Sequence, residues 1–180
     1  MDYPISISSS KLTSKSTSSA SPWKSATQRG LVSGATASLL STAALAALGK
    51  GEAGSAYAPT NAVSHWIWGE EAAHRDAPAH RDAPSLRYTL TGYLIHHASA
   101  TFWAVLFERL MGKKLDQRDP VATITAATAA SAVACFTDYQ LTPQRLHPGY
   151  EKRLSTPALA LVYGAFGLGL AAGAMLCRRD

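Results

Sequence analysis

The stretch 88–111, YTLTGYLIHHASATFWAVLFERLM, constrains this chain more than any other. About 20 mostly apolar residues suffice to cross the hydrocarbon core of a bilayer, yet this run holds two adjacent histidines, His96 and His97. Ionisable groups inside an apolar span face a bundle interior or a wet cavity, because lipid offers them no partner. The run therefore predicts a helix that needs neighbours on its histidine side. On a helical wheel Leu94, Ile95, Phe102, Val105 and Leu106 share one side, suited to lipid. Tyr93, His97, Ala100, Thr101, Ala104 and Glu108 form the opposite stripe, with Gly92 and His96 at its border.

Three further apolar segments supply the neighbours. Residues 31–48 (LVSGATASLLSTAALAAL) repeat small side chains every four positions at Gly30, Gly34, Ser38 and Thr42, a stripe that lets another helix approach closely. A signal-peptide reading of this run, with Ala56-Tyr57-Ala58 as cleavage site, is opposed by the long gap that follows it and by Pro59. Residues 121–136 are rich in Ala and Thr and only mildly apolar, which predicts the most enclosed helix. Its start is marked by Asp119 as cap and Pro120 at the first helical position. Its inward face is predicted to carry Thr123, Ala127, Ala130, Ser131 and Ala134 and to run on to Asp138. Residues 158–177 contain the Gly169/Gly173 pair in GxxxG spacing.

The fold class expected is all-α: four transmembrane helices, about 31–48, 88–111, 121–136 and 158–177, in one domain spanning 30–180. Residues 1–29, rich in Ser and Lys with Asp2 the only acid, cannot bury a core and read as a disordered tail. The tandem AHRDAP copies at 73–78 and 79–84 read as a tolerant surface loop, which makes His74 and His80 poor ligand candidates. Trp66 and Trp68 suit the headgroup region. Cys135 and Cys177 fall near opposite faces of such a bundle, too far apart for a disulfide.

Net charge is +5, but the basic residues are scattered, without the clustered patch of a nucleic-acid surface, so no nucleic acid is expected as partner. The lipid bilayer is the expected partner, with a homo-oligomer as a further one. Lys24, Arg29, Arg109, Lys113, Lys114, Arg118, Arg178 and Arg179 flank one set of span ends, which by the positive-inside rule places both termini in the cytoplasm.

With that topology His65, His96, His97, Asp138, Arg145 and Glu151 converge at the outer end. Two readings of them stay open. In one, His96, His97 and Asp138 bind a metal ion or haem. No His-x-x-His or Cys-x-x-Cys spacing supports it, and adjacent histidines on a helix project in different directions. In the other, one histidine pairs with Asp138 or Glu151 and locks helices together. A histidine stripe running toward Glu108 would suit a small oligomeric proton or solute transporter. No nucleophile elbow, P-loop or dinucleotide fingerprint occurs, which leans away from an enzyme, with no catalytic residue assigned. An Arg145–Glu151 clamp is expected to fix the Pro-rich loop.

The stretches APTNAVSHWIWG, GYLIHHASATFWAVLFE and DYQLTPQRLHPGYEKRLSTPALALVYGAFGLGLA resemble small uncharacterised bacterial inner-membrane proteins. The resemblance covers about residues 30–177. It implies a bacterial inner-membrane location and a four-helix architecture, and it brings no activity, substrate or cofactor.

Overall fold

The structure is a computed structural model, and it describes residues 21–70, 73 and 81–178. Among the described residues there is no strand. The long elements are α1 (Pro22–Glu52), α4 (Thr91–Leu115), α5 (Pro120–Phe136) and α6 (Thr156–Leu176). Two short helices, α2 (Ala58–Val63) and α3 (His65–Trp68), lie between α1 and α4. Wide π turns lead into α4 over Leu86–Leu90 and out of α5 over Thr137–Leu141.

Among the described residues three helices are long and apolar enough to cross a membrane: Pro22–Glu52, Pro120–Leu141 and Thr156–Leu176. The histidine helix α4 is not among them. It has the length, with 25 residues, but His96, His97, Glu108 and Arg109 dilute its hydropathy. Of the four apolar spans expected from sequence, three meet this measure, and α4 is a long, more polar neighbour.

Helix α1 starts earlier than expected. Residues 22–29, read as tail, form its first turns, because Pro22 opens a helix well and nothing from Trp23 to Arg29 breaks one. Residues 1–20 of that tail lie outside the described residues. The chain is also organised around α1 rather than around the histidine helix, since α1 packs along both α4 and α6. Glycines permit this double contact. A Cβ at Gly34 would lie 2.7 Å from Thr101 Cα on α4, and one at Gly30 would lie 2.8 Å from Val105 Cα. On the other face, a Cβ at Gly169 would sit 2.4 Å from Ala37 Cα, and one at Gly173 equally close to Ser33 Cα. The close approach lets Thr36 Oγ1 donate to the Gly169 carbonyl at 2.7 Å.

Helix α5 is not the most enclosed. Only 28% of its apolar window is buried, against 50% for α6. Small, mild side chains do not by themselves imply enclosure; α5 has α6 as its main neighbour and touches α4 sparingly. Its start follows expectation, with the Asp119 carboxylate accepting from the amides of Val121 (2.9 Å) and Ala122 (3.3 Å). Its buried face is Thr123, Ala126, Ala127, Ser131 and Ala134. The start of α6 is joined to the end of α1: the Glu52 carboxylate accepts from Ser155 N (2.7 Å) and Ser155 Oγ (2.8 Å).

Candidate functional site

One end of the helices, where α1 finishes and α4 begins, is the end expected from sequence to face outward and is called outer only as a label; it is closed by α2, α3 and the 142–155 loop. Asn61, fully buried, ties this cap together. Its Nδ2 donates to the carbonyls of Arg81 (2.6 Å) and Ala83 (3.0 Å), and its Oδ1 accepts from Thr89 Oγ1 (2.7 Å). Part of the second AHRDAP copy is therefore structural rather than a tolerant loop. Asp82 receives both terminal nitrogens of Arg153, at 2.6 and 3.3 Å, and the Arg153 side chain is 2% exposed. His74 and His80 lie outside the described residues. The clamp expected between Arg145 and Glu151 is not formed: Arg145 is exposed on the turn Gln144–Leu146, and the clamp of this cap is Arg153 with Asp82.

Beneath the cap lies a cavity of about 400 Å³. Its walls come from α1, α4, α5, α6 and the cap, and they include Trp66, Phe102, Trp103, Tyr150, Tyr163 and Phe166. Phe102 and Leu146 on its rim are exposed, so the cavity opens outward. His96 and Asp138 line it from different helices. The structure separates the histidine pair. His96 turns into the cavity and toward α1, where its Nε2 lies 2.8 Å from Ser41 Oγ. Ser41 Oγ also donates to the Ala37 carbonyl at 2.7 Å, so the contact ties α4 to α1, with the donor set by the imidazole tautomer. His97 is not on the cavity wall; its ring stacks on Tyr93, and its buried Nδ1 has no partner among the described residues.

Asp138 accepts from the Tyr163 hydroxyl at 2.6 Å, and Tyr163 in turn accepts from Tyr150 at 3.3 Å. Burial pushes the Tyr150 phenol far above its ordinary pKa, so it stays a neutral donor. The pairing of a histidine with Asp138 or Glu151, expected from sequence, is replaced by serine for the histidine and tyrosine for the acid. His65 is held in the cap, with Nδ1 2.8 Å from the Ala62 carbonyl and the ring packed against Gly149. That glycine has φ of 90°, and a side chain there would meet both the strain and the imidazole. Glu151 is half-buried, and one carboxylate oxygen is without a partner. Among the described residues no group of three His, Cys, Asp or Glu side chains converges as a metal site would require.

The opposite end, labelled inner on the same footing, carries a second polar cluster that sequence reading missed. Arg178 donates to both oxygens of Glu108, at 2.7 and 3.2 Å, and its Nε donates to Asp116 at 2.9 Å. Arg29 reaches the same Asp116 oxygen at 2.8 Å, and Ser33 Oγ donates to Glu108 at 3.1 Å. Burial alone would lower the Arg178 pKa, but the hydrogen bonds and charges of Glu108 and Asp116 hold it above the ordinary value. Glu108 is thus engaged in an ion pair rather than ending a relay from the histidines. The signal was present: a Glu in an apolar helix needs a cation at the same depth, and Arg178 ends the helix that packs on α1. Tyr163 likewise could have been found, as the one hydroxyl-bearing aromatic in 158–177, where a buried phenol needs a partner.

Neither a protein-family model, nor a curated protein, nor a solved structure matches this chain.

Proposed function

We propose that this chain is a multi-pass integral membrane protein, with α4 as a fourth span beside the three apolar helices, whose outer cavity binds a small, mostly apolar molecule. The observation that carries this reading is the aromatic-walled cavity of about 400 Å³, within the range of ligand sites, with polar groups that include His96 and Asp138 on its wall to orient an occupant. Exposed mid-helix side chains such as Leu94, Phe102, Leu161 and Leu168 support burial of the outer surface in lipid. The basic residues at the inner end favour cytoplasmic termini. The resemblance of three stretches to small bacterial inner-membrane proteins favours that membrane. Ser41 and His96 meet on the wall at 2.8 Å, but Ser41 Oγ also donates to the Ala37 carbonyl at 2.7 Å, and we read the pair as a link between α1 and α4 rather than as a nucleophile with its base.

The test has two stages. After a carbonate wash the protein stays with the membrane fraction; release into the supernatant would overturn the membrane assignment. Mass spectrometry of small molecules released from the purified protein then shows a bound species that is lost in Ser99→Phe, which fills the cavity from α4. Equal amounts from both proteins, or none from either, would remove the binding reading.

A further inference from the structure

We infer that the occupant of this cavity is an organic cation with an apolar body, such as a quaternary or protonated amine, held by Asp138 and the surrounding aromatic rings. The inference rests on the reading of the cavity as a ligand site and names its chemical class.

Three observations point the same way. The first is the charge on the wall. Asp138 faces the cavity, and among the described residues no Lys or Arg lines it. A carboxylate beside apolar surface needs a positive partner, and among the described residues its one hydrogen-bond donor is the Tyr163 hydroxyl, on Oδ2, with the His147 imidazole near enough to act on it only as a charge. The other oxygen, Oδ1, accepts no hydrogen bond from the described residues. The histidine on the wall, His96, directs its Nε2 to Ser41 instead. His147 is not on the wall; its ring contacts Tyr139 and its Nε2 lies 3.2 Å from the Thr142 carbonyl, so it makes no hydrogen bond to Asp138.

The second observation is the wall itself. Trp66, Phe102, Trp103, Tyr150, Tyr163 and Phe166 surround the space. Aromatic faces attract cations through their quadrupole, and desolvated sites strengthen the attraction. Rings suit a quaternary ammonium, which has no N–H to satisfy and gains from both charge and contact area. The third is selection against anions. With a carboxylate and no fixed cation on the wall, an anionic ligand would meet repulsion and no counter-charge.

The experiment uses the full chain in phosphatidylcholine nanodiscs and two probes of one shape: benzyltrimethylammonium, and neopentylbenzene, in which carbon replaces the charged nitrogen. Tryptophan emission reports occupancy because Trp66 and Trp103 line the cavity, and partition into protein-free discs is subtracted. The expected result is saturable binding of both, with the cation at least about tenfold tighter. Asp138→Asn, which keeps an acceptor for Tyr163, loses that preference and leaves neopentylbenzene binding unchanged; Asp138→Glu retains the preference. Should Asp138→Asn fail to fold, the ratio of the two probes on the native chain decides. Equal affinities, a preference for the neutral probe, or a cation preference that survives in Asp138→Asn would overturn the cation inference and leave the cavity as an apolar ligand site. Saturable binding of neither probe would overturn the ligand site as well.

Discussion

The two ends of this helical assembly handle charge in opposite ways. At the inner end, Glu108, Asp116, Arg29, Arg178 and Ser33 satisfy one another, with two carboxylates against two guanidinium groups. At the outer end the cap is closed by Asn61 and by Arg153 with Asp82, yet polar atoms remain unmatched just inside it: Glu151 Oε2, Tyr139 Oη and His97 Nδ1. A saturated network is a lock, since moving any member strands a charge in low dielectric. Glu151, Tyr139 and His97 do not line the cavity; the carboxylate that does, Asp138, accepts from Tyr163 alone among the described residues, and a carboxylate so placed is costly to maintain unless something else completes it. The inner end therefore holds the helices together, and the outer end is where a ligand has work to do.

The comparison is broken most severely at Arg178. Arg178→Ala leaves Glu108 buried without a cation, and loss of one partner of a buried pair costs about 3–5 kcal/mol. Thermal unfolding in detergent should show this as the largest drop of any substitution discussed. The double change Glu108→Met/Arg178→Met should recover most of it, because removing both charges also removes their desolvation cost. If the single and double variants melt together, the inner end is not the lock described. Next comes Arg153→Ala in the cap, expected to lose about 2 kcal/mol, the range for a charge-assisted hydrogen bond. It is smaller because Asp82, at 21% exposure, recovers water when its partner leaves. Proteolysis within 70–90 should accelerate in the same variant, and an unchanged digestion rate would show that the second hexamer copy is not anchored by this pair. Smaller again is Tyr163→Phe. It deletes one donor to Asp138 and should lower stability by about 1 kcal/mol. Because it frees Oδ2 as well, it should tighten rather than weaken binding of a cationic probe. Weakened binding would mean that the phenol orients the carboxylate.

How much of this was legible in the chain depends on the kind of signal. The start of α5 was, because Asp119 and Pro120 act locally. The inward face of α5 was, because Thr123, Ala127, Ser131 and Ala134 fall on one helical stripe. Which helix is central was not. A helix packed on protein along two faces and on lipid elsewhere is apolar nearly all round, so α1 carries no strong one-sided pattern. Gly30, Gly34, Gly169 and Gly173 announce close approach, but spacing alone cannot say that the first two meet α4 and the last two meet α1. At the candidate site His96 and Asp138 stood out as charged types in apolar runs. Their partners, Ser41 and Tyr163, lie 55 and 25 residues away in the chain, a separation over which sequence spacing carries no information. Arg178 was misread for a different reason. A terminal arginine counts as a topology signal, and only the packing of α6 against α1 and α4 brings it onto Glu108.

The smallest effect expected is also the one that separates the two ends by pH. Burial works to raise the Asp116 pKa, but the hydrogen bond and charge of Arg178, together with Arg29, outweigh it and hold the carboxyl below the ordinary aspartate value. A group whose pKa is depressed on folding contributes stability that is complete above its unfolded value, about 3.9, and is lost as pH falls through the folded one. The native chain should therefore lose the contribution of this pair only below about pH 4. The side chain is half exposed, so solvent screening keeps the effect small. Asp116→Asn should melt slightly lower at neutral pH, and its difference from the native chain should shrink toward zero as the acid limb is entered. A difference that stays constant from pH 7 down to pH 3 would show that Asp116 acts by packing alone. The inner lock would then consist of Glu108 and Arg178 without their exposed flank, and the contrast with the outer end would rest on that one buried pair.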